Sequence, residues 1–516
     1  MSAHAAGYAV WLCVQGGLAT DFYNGNAFWD GVTFITPSLA LFHPQLARAS
    51  LQYRFARMPE AEAYAARHNW SGAYWPWQTA ATGEEVDIFP SANILEQHIV
   101  SEVALLGEQY WAWTGDSTWV RQQGVPMASA AAEFWMSRLT PTGDGTSALS
   151  LRNTVPADEF AWGNLSLTPF FPYTGVDDAV FTNGGAQRTL QWAARAAAID
   201  GGNATKARLW AAVAARIRLL FNASNQVHPE YVGFPAGNWD SDYKVKQADV
   251  VLLPWPLGLN ISAAVRLSDL DYYEPMYFAQ GPDMTWATTT IGYLSVVDRG
   301  VAGVSSTSLR SKAAAGFARA RLNQQPPFDV WTETPNPNKH AGDLGAYNFC
   351  TGASTWALAL TSGYAGMRLH SAEGSHGEGN HTGVAAALAF APQLPSALNV
   401  SLLRVRGVAY RNWTFDITCE EAVAQDEAVM PAGGSSGVGC SALPTAADAG
   451  APAIYLRVDH DVRDIPGSGF TDCGPGPPAG QSEADARLQV GVVQRIPPRV
   501  GAASGVGPWF RLLPST

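Results

Sequence analysis

Carboxylates set among aromatic side chains are the residues of this sequence best suited to chemistry. Val155-Pro156-Ala157-Asp158-Glu159-Phe160-Ala161-Trp162 puts an acidic pair behind a proline and beside two aromatic residues. A carboxyl partly withdrawn from water there has a raised pKa, the state a general acid needs, although an ordinary surface loop could read the same way. In Pro327-Phe328-Asp329-Val330-Trp331-Thr332-Glu333, Glu333 next to Trp331 suits a general base, or equally a capping or solvated glutamate. Asn24-Gly25-Asn26-Ala27-Phe28-Trp29-Asp30 sets an aspartate beside a tryptophan, a pair that suits a sugar hydroxyl or an aromatic core contact with a capping Asp. Lys246-Gln247-Ala248-Asp249 precedes Val-Val-Leu-Leu-Pro and reads as the opening of a helix, its polar groups facing either a pocket or solvent.

Other chemistries lack their motifs. There is no phosphate-binding G-x-x-x-x-G-K-[ST], no G-x-G-x-x-G after a strand and no H-E-x-x-H. The one G-x-S-x-G match, Gly433 to Gly437, lies in a Gly/Ser-rich stretch without the strand and helix that a nucleophile elbow requires. His370, His376 and His381 with Glu373 and Glu378 read as a solvated linker rather than a metal site. The five cysteines are scattered, with one disulfide open among Cys419, Cys440 and Cys473. Neither a cofactor nor a metal is expected.

Composition narrows the partners. The 516 residues carry 15% charged side chains and a net charge of −12 without a basic run, so nucleic acid and anionic membrane are poor candidates. No apolar run approaches the roughly 18 residues of a membrane span. Nineteen tryptophans suit the faces of sugars, although a large core also consumes tryptophan. Eight N-x-S/T sequons, at Asn69, Asn164, Asn203, Asn222, Asn260, Asn380, Asn399 and Asn412, favour the secretory pathway or an extracellular location. Against this, Tyr8–Val14 is a short apolar run with no Lys or Arg before it, which does not read as a signal peptide.

The elements that must position these groups are mostly helical. Apolar residues recur at three- and four-residue spacing in Leu46–His68, Ile94–Thr114, Met127–Leu139, Gly184–Ile199, Asn203–Phe221, Met284–Val297, Ser308–Asn323 and Gly352–Gly363. Thr114-Gly115-Asp116 is a helix stop. After residue 370 the pattern changes: a Gly/Ser/His linker at 371–382 leads into strand-like alternation in Leu398–Val405, Val408–Tyr410, Trp413–Thr418, Tyr455–Val458 and Leu488–Val493. The expected organisation is a helical domain over 1–370 and a small β-sandwich-like domain over 383–516, with a disordered insertion near 422–452.

In their order, these segments resemble glycoside hydrolase family 65, in its acid-trehalase-like branch, from about Gly17 to Leu369. The resemblance rests on Asn26-Ala27-Phe28-Trp29-Asp30, Tyr53-Arg54, Gly72-Ala73-Tyr74-Trp75-Pro76-Trp77, Glu96-Gln97-His98-Ile99 and Glu133-Phe134-Trp135-Met136-Ser137-Arg138. It continues through Pro156-Ala157-Asp158-Glu159-Phe160, Thr182-Asn183, Lys246-Gln247-Ala248-Asp249-Val250, Gly281-Pro282-Asp283-Met284-Thr285-Trp286, Val330-Trp331-Thr332-Glu333 and Asn348-Phe349-Cys350-Thr351-Gly352.

The resemblance implies an (α/α)6 barrel and an inverting α-glucosidase. Glu159 aligns with the family's general acid and Glu333 with its hydrolytic general base. Trp29, Asp30, Lys246 and Gln247 match its glucose-binding positions, and Trp29, Trp77, Trp286 and Trp331 are the expected aromatic walls. The family's phosphorylases lack a carboxylate at the Glu333 position, so this residue favours water as the nucleophile. Inversion implies carboxyls about 6.5–9.5 Å apart and release of β-glucose. The implied substrate is a carbohydrate or glycosylated protein, such as glucosyl-α-1,2-galactosyl-hydroxylysine. A trehalase-like or phosphorylase variant and a non-catalytic sugar-binding remnant stand as alternatives. The chain departs from the family in three places. The Trp-Asp motif stands at residue 29, so the family's N-terminal domain is expected to be absent; Val32 and Gln78 stand where carboxylates are usual.

Overall fold

In the computed structural model, the described residues are 23–87, 94–161, 174–199, 203–235, 245–335, 345–371, 386–400, 402–410, 413–420, 453–459, 493–496 and 510–512. The helices are α1 (Pro44–Ala56), α2 (Met58–Arg67), α3 (Ile99–Thr114), α4 (Val125–Arg138), α5 (Val180–Ile199) and α6 (Ala204–Ala214). After them come α7 (Ala263–Tyr273), α8 (Met284–Arg299), α9 (Ser306–Ala320) and α10 (Cys350–Leu358). A π-helical segment, Gly31–Ile35, continues as Thr36–Ala40 ahead of α1.

Burial sorts them into two layers. In α3 and α8 nearly every residue is buried, whereas α6 and α9 bury only one face. A helix buried all round is an inner helix, and an amphipathic one an outer helix. The helices pack pairwise, α5 on α6, α7 on α8, and α8 on α9. This is the (α/α)6 barrel arrangement. The inner helix α8 tolerates its threonines because their hydroxyls bond back along the helix, Thr289 to the Thr285 carbonyl at 2.8 Å and Thr290 to the Trp286 carbonyl at 3.1 Å.

The expected stop after Thr114 is present. Gly115 adopts φ 67° and returns its N–H to the Trp111 carbonyl, and Asp116 then caps the next turn through the Trp119 N–H. Two expectations are corrected. The single helix read over Leu46–His68 is two, α1 and α2, divided at Arg57, because Pro59 fits only the first turn of a new helix. The helix read after Lys246 is a single 3₁₀ turn, Val250–Leu252, with Pro254 and Pro256 preventing its continuation.

Beyond Met367 the chain forms strands. Arg368–Ser371, Ala386–Phe390 and Phe510–Leu512 make one antiparallel sheet with Ala386–Phe390 at its centre. Leu402–Tyr410, Trp413–Glu420, Ala453–Asp459 and Val493–Ile496 make a second, in that spatial order. The second sheet docks on the helical body, where the Ala409 N–H donates to the Leu41 carbonyl at 2.7 Å and Tyr410 meets Trp113 edge-on. The linker from 372 to 382, the insertion at 422–452, the Gly433–Gly437 motif, Cys440, Cys473 and the sequons at Asn164, Asn380 and Asn412 lie outside the described residues.

Candidate active site

The residues singled out by chemistry gather at the N-terminal ends of the inner helices. Asp30 precedes the π-helical segment, Glu96 and His98 precede α3, Asp283 precedes α8, and Thr351 opens α10. Helix N-termini carry partial positive charge, so this end of the barrel favours carboxylates and electron-rich sugar oxygens.

Glu333 leaves a short strand, Val330–Trp331, and its backbone is locked: the Asp283 N–H donates to its carbonyl at 2.9 Å, and the Asn323 amide does so at 3.1 Å. Its carboxylate accepts the Ala346 N–H at 2.9 Å and the Tyr23 hydroxyl at 2.9 Å from each oxygen. Gly345, at φ 60°, lies against this carboxylate; a Cβ there would sit 2.5 Å from Oε2. Only glycine leaves that space. Burial raises the Glu333 pKa above the ordinary carboxylate range, while Lys246, the Ala346 amide and Tyr23 hold the rise back. A raised but chargeable carboxylate suits a general base near neutral pH.

Glu159 pairs with Lys246, its Oε2 2.8 Å from Nζ, and both side chains keep some exposure. Burial opposes the charge on Lys246, but Glu159, Glu333 and Glu96 together outweigh it, and the lysine pKa stands raised. One ammonium thus serves both candidate catalytic carboxylates. Gln247 donates its amide to the Ala157 carbonyl and reaches Glu159 Oε1 at 3.5 Å. Glu96 is fully buried, and its pKa is raised by burial and by the neighbouring Glu159.

Beneath Glu159 lie three buried carboxyls, Asp158, Glu230 and Asp249. Asp158 accepts the Lys246 N–H at 2.7 Å and the Phe160 N–H at 3.1 Å, tying the Glu159 loop to the Lys246 loop. Asp249 accepts the Asp158 N–H at 3.2 Å. Glu230 lies within electrostatic reach of Asp158, and among the described residues neither of its carboxyl oxygens nor Asp158 Oδ2 has a hydrogen-bond partner. Burial pushes Asp158 up to about 7, and Glu230 and Asp249 well above the ordinary range.

A carboxyl whose folded pKa is raised stabilises the fold fully below its unfolded pKa, roughly 4. That contribution is lost as pH rises through the folded value. Glu230→Gln replaces a buried carboxyl, crowded by the charges of Asp158 and Asp249, with a neutral amide. Its thermal midpoint should therefore exceed the wild type at pH 8 and converge with it near pH 4. A lower midpoint at both values would contradict the raised Glu230 pKa.

Asp30 is buried and accepts the Thr351 hydroxyl at 2.8 Å. It lies within electrostatic reach of Tyr23, as Glu159 and Glu333 do, so the structure brings Asp30, Glu159, Lys246, Gln247 and Glu333 together. Trp29 stands behind them, its ring edge-on to Phe34, His98 and Phe181 and fixed by packing. Trp77 meets Phe28 and His98 edge-on. Trp286 and Trp331 pack outward toward α9 instead of walling a pocket: Arg319 covers Trp286, and the Trp331 indole donates to the Ala320 carbonyl at 3.2 Å. Val32 is buried in the core, and Gln78 is half-buried.

Three contributors escaped the sequence reading. Tyr23 stands one residue ahead of the Asn24–Asp30 segment, and nothing local marks it as a partner of Glu333. Glu96 belongs to a recognised segment but carries no role there. Glu230 sits in a loop without periodicity, and its meeting with Asp158 is purely tertiary. Among the described residues no group of three or more His, Cys, Asp or Glu side chains is arranged to hold a metal, and no helix is long and apolar enough to cross a membrane.

The chain is similar to known glycoside hydrolases. Residues 12–240 match the glycosyl hydrolase family 65 central catalytic domain. A protein-glucosylgalactosylhydroxylysine glucosidase of Dictyostelium discoideum is 34% identical over 408 residues, covering 78% of this chain and 50% of the relative. A kojibiose hydrolase of Flavobacterium johnsoniae is 32% identical over 361 residues, covering 69% of this chain and 47% of the relative. Among solved structures, a putative kojibiose phosphorylase from the human microbiome superposes with a TM-score of 0.60 at 17% identity, over 79% of this chain and 53% of the other, a likeness of fold. The chain spans about half the length of the curated relatives it matches. On these grounds the chain belongs to glycoside hydrolase family 65.

Proposed function

We propose that this chain is an inverting α-glucosidase, with Glu159 as general acid and Glu333 as general base. The observation that carries the reading is the convergence of both carboxylates on Lys246, with Glu333 oriented by Tyr23 and the Ala346 amide. Glu159 protonates the glycosidic oxygen as the bond to the anomeric carbon lengthens. Ionised Glu333 takes a proton from a water that attacks the opposite face of the oxocarbenium-like centre, and glucose leaves as the β anomer. Trp29, Asp30, Lys246 and Gln247 make up the glucose-binding set, Asp30 held for a sugar hydroxyl by Thr351.

The substrate proposed is glucosyl-α-1,2-galactose on hydroxylysine. Support comes from the names of the relatives. The test is proton NMR of the full chain with glucosyl-α-1,2-galactose in phosphate-free buffer. β-Glucose should accumulate before mutarotation. Early α-glucose would overturn the mechanism. A requirement for phosphate would instead mark a phosphorylase, and absence of turnover across a panel including trehalose would mark a binding remnant.

A further inference from the structure

The inner helices have a second end. There the barrel holds a cavity of about 490 Å³, walled by the C-terminal halves of α3 and α8, the loop through Trp255 and the junction at Met367–Leu369. Measured along α8 from Asp283 to Arg299, it lies roughly 24 Å from the catalytic end, at 1.5 Å per residue. None of the residues assigned to sugar binding or catalysis lines it.

Four arginines do: Arg188, Arg266, Arg299 and Arg368. Arg188 is balanced by Glu108 at 3.1 Å. For the other three, the acidic side chain beside them among the described residues is Asp298, whose Oδ2 lies 3.9 Å from Arg368 Nη2 and which also faces Arg310. Arginines at helix C-termini often serve only to meet free carbonyls, and part of that duty is visible here. Arg266 Nε donates to the Ile261 carbonyl at 2.9 Å, and Arg368 Nη1 to the Met367 carbonyl at 3.1 Å. A guanidinium has five N–H donors, so these bonds leave most of them uncommitted. The Arg299 side chain makes no hydrogen bond or ion pair among the described residues, and Arg368 Nη2 is buried without a hydrogen-bond partner. Burial together with the charges of Arg299 and Arg368 lowers the Arg266 pKa. The three guanidiniums therefore repel one another. Among the described residues, three guanidiniums against one carboxylate leave an excess of about two positive charges, close to the charge of a phosphate monoester.

We propose that this cavity binds a small phosphate monoester, its head among Arg266, Arg299 and Arg368 and its apolar body against Leu105, Trp113, Trp255 and Leu257. The volume suits a small organic molecule. Arg299 is the decisive residue, because it is only partly buried and has no internal bond to lose. The test is calorimetric titration of the full chain with phenyl phosphate and, separately, inorganic phosphate.

Saturable binding is expected, tighter for phenyl phosphate and weakened by added salt. Arg299→Gln should weaken it at least tenfold, Arg299→Lys less, and both should leave disaccharide turnover within twofold of wild type. Without ligand, Arg299→Gln should raise the thermal midpoint, since it removes a like charge from the cluster. Absence of saturable binding would overturn the proposal, as would affinity unchanged by Arg299→Gln, which would place the anion elsewhere. A lowered unliganded midpoint with unchanged affinity would give Arg299 a structural role only, and would overturn it equally.

Discussion

Glu333→Gln is expected to lower kcat by roughly 10³-fold or more, at the upper end of what a positioned acid or base contributes, while the protein stays folded. The amide still accepts the Ala346 N–H and the Tyr23 hydroxyl, so the loop retains its anchors. What disappears is the capacity to take a proton from water. Glu159→Gln should lose a similar factor by failing to protonate the leaving oxygen. The double variant should lose little beyond either single one, because a proton donor without a partner base has no complete reaction to assist. The check is kcat on glucosyl-α-1,2-galactose alongside thermal melts of all three variants. Near-normal turnover in a folded Glu333→Gln protein would remove Glu333 from the mechanism.

The next largest effect belongs to Lys246. Its ammonium holds Glu159 at 2.8 Å and acts electrostatically on Glu333 and Glu96. Lys246→Met leaves those carboxylates with less compensation in a desolvated site and removes a sugar-binding donor. A loss in kcat of about 10²-fold is expected, comparable with the removal of one preorganised donor.

The pH profile gives the sharper test. The base must be ionised, so activity is lost as pH falls through the Glu333 pKa. Lys246 lowers that pKa, so its removal raises it, and the acidic limb of kcat/KM should move to higher pH. A limb that stays in place would show that Lys246 acts on the sugar alone.

Much of the site was legible because its residues sit in short segments with strong local character. Asp158-Glu159 behind Pro156, and Trp331-Thr332-Glu333 after a helix, are visible as carboxylates among aromatics without any fold. The helices were legible for a similar reason, apolar residues recurring at three- and four-residue spacing, whereas the burial of α3 and α8 nearly all round emerged only with the fold. What escaped depends on distant chain segments meeting. The meeting of Glu230 with Asp158 and the arginine cavity join loops and helix ends whose local sequence is unremarkable. The outward packing of Trp286 and Trp331 was missed for the converse reason. Tryptophans beside a carboxylate invite a pocket reading, yet their direction follows the element that carries them, α8 for Trp286 and the short strand Val330–Trp331 for Trp331, and both meet α9.

Glu333, the proposed general base, is held by a tyrosine 310 residues earlier in the chain, and Asp30 by a threonine 321 residues later. Both bonds bridge the first and last described turns of the barrel, so neither can form until the ring of helices closes. Such contacts have the highest loop-closure penalty and come late in folding. Catalysis therefore doubles as a reporter of closure. A polypeptide cut between these turns could keep its helices and yet hold Glu333 without orientation. Recovery of turnover after dilution from denaturant should accordingly lag behind recovery of helical circular dichroism.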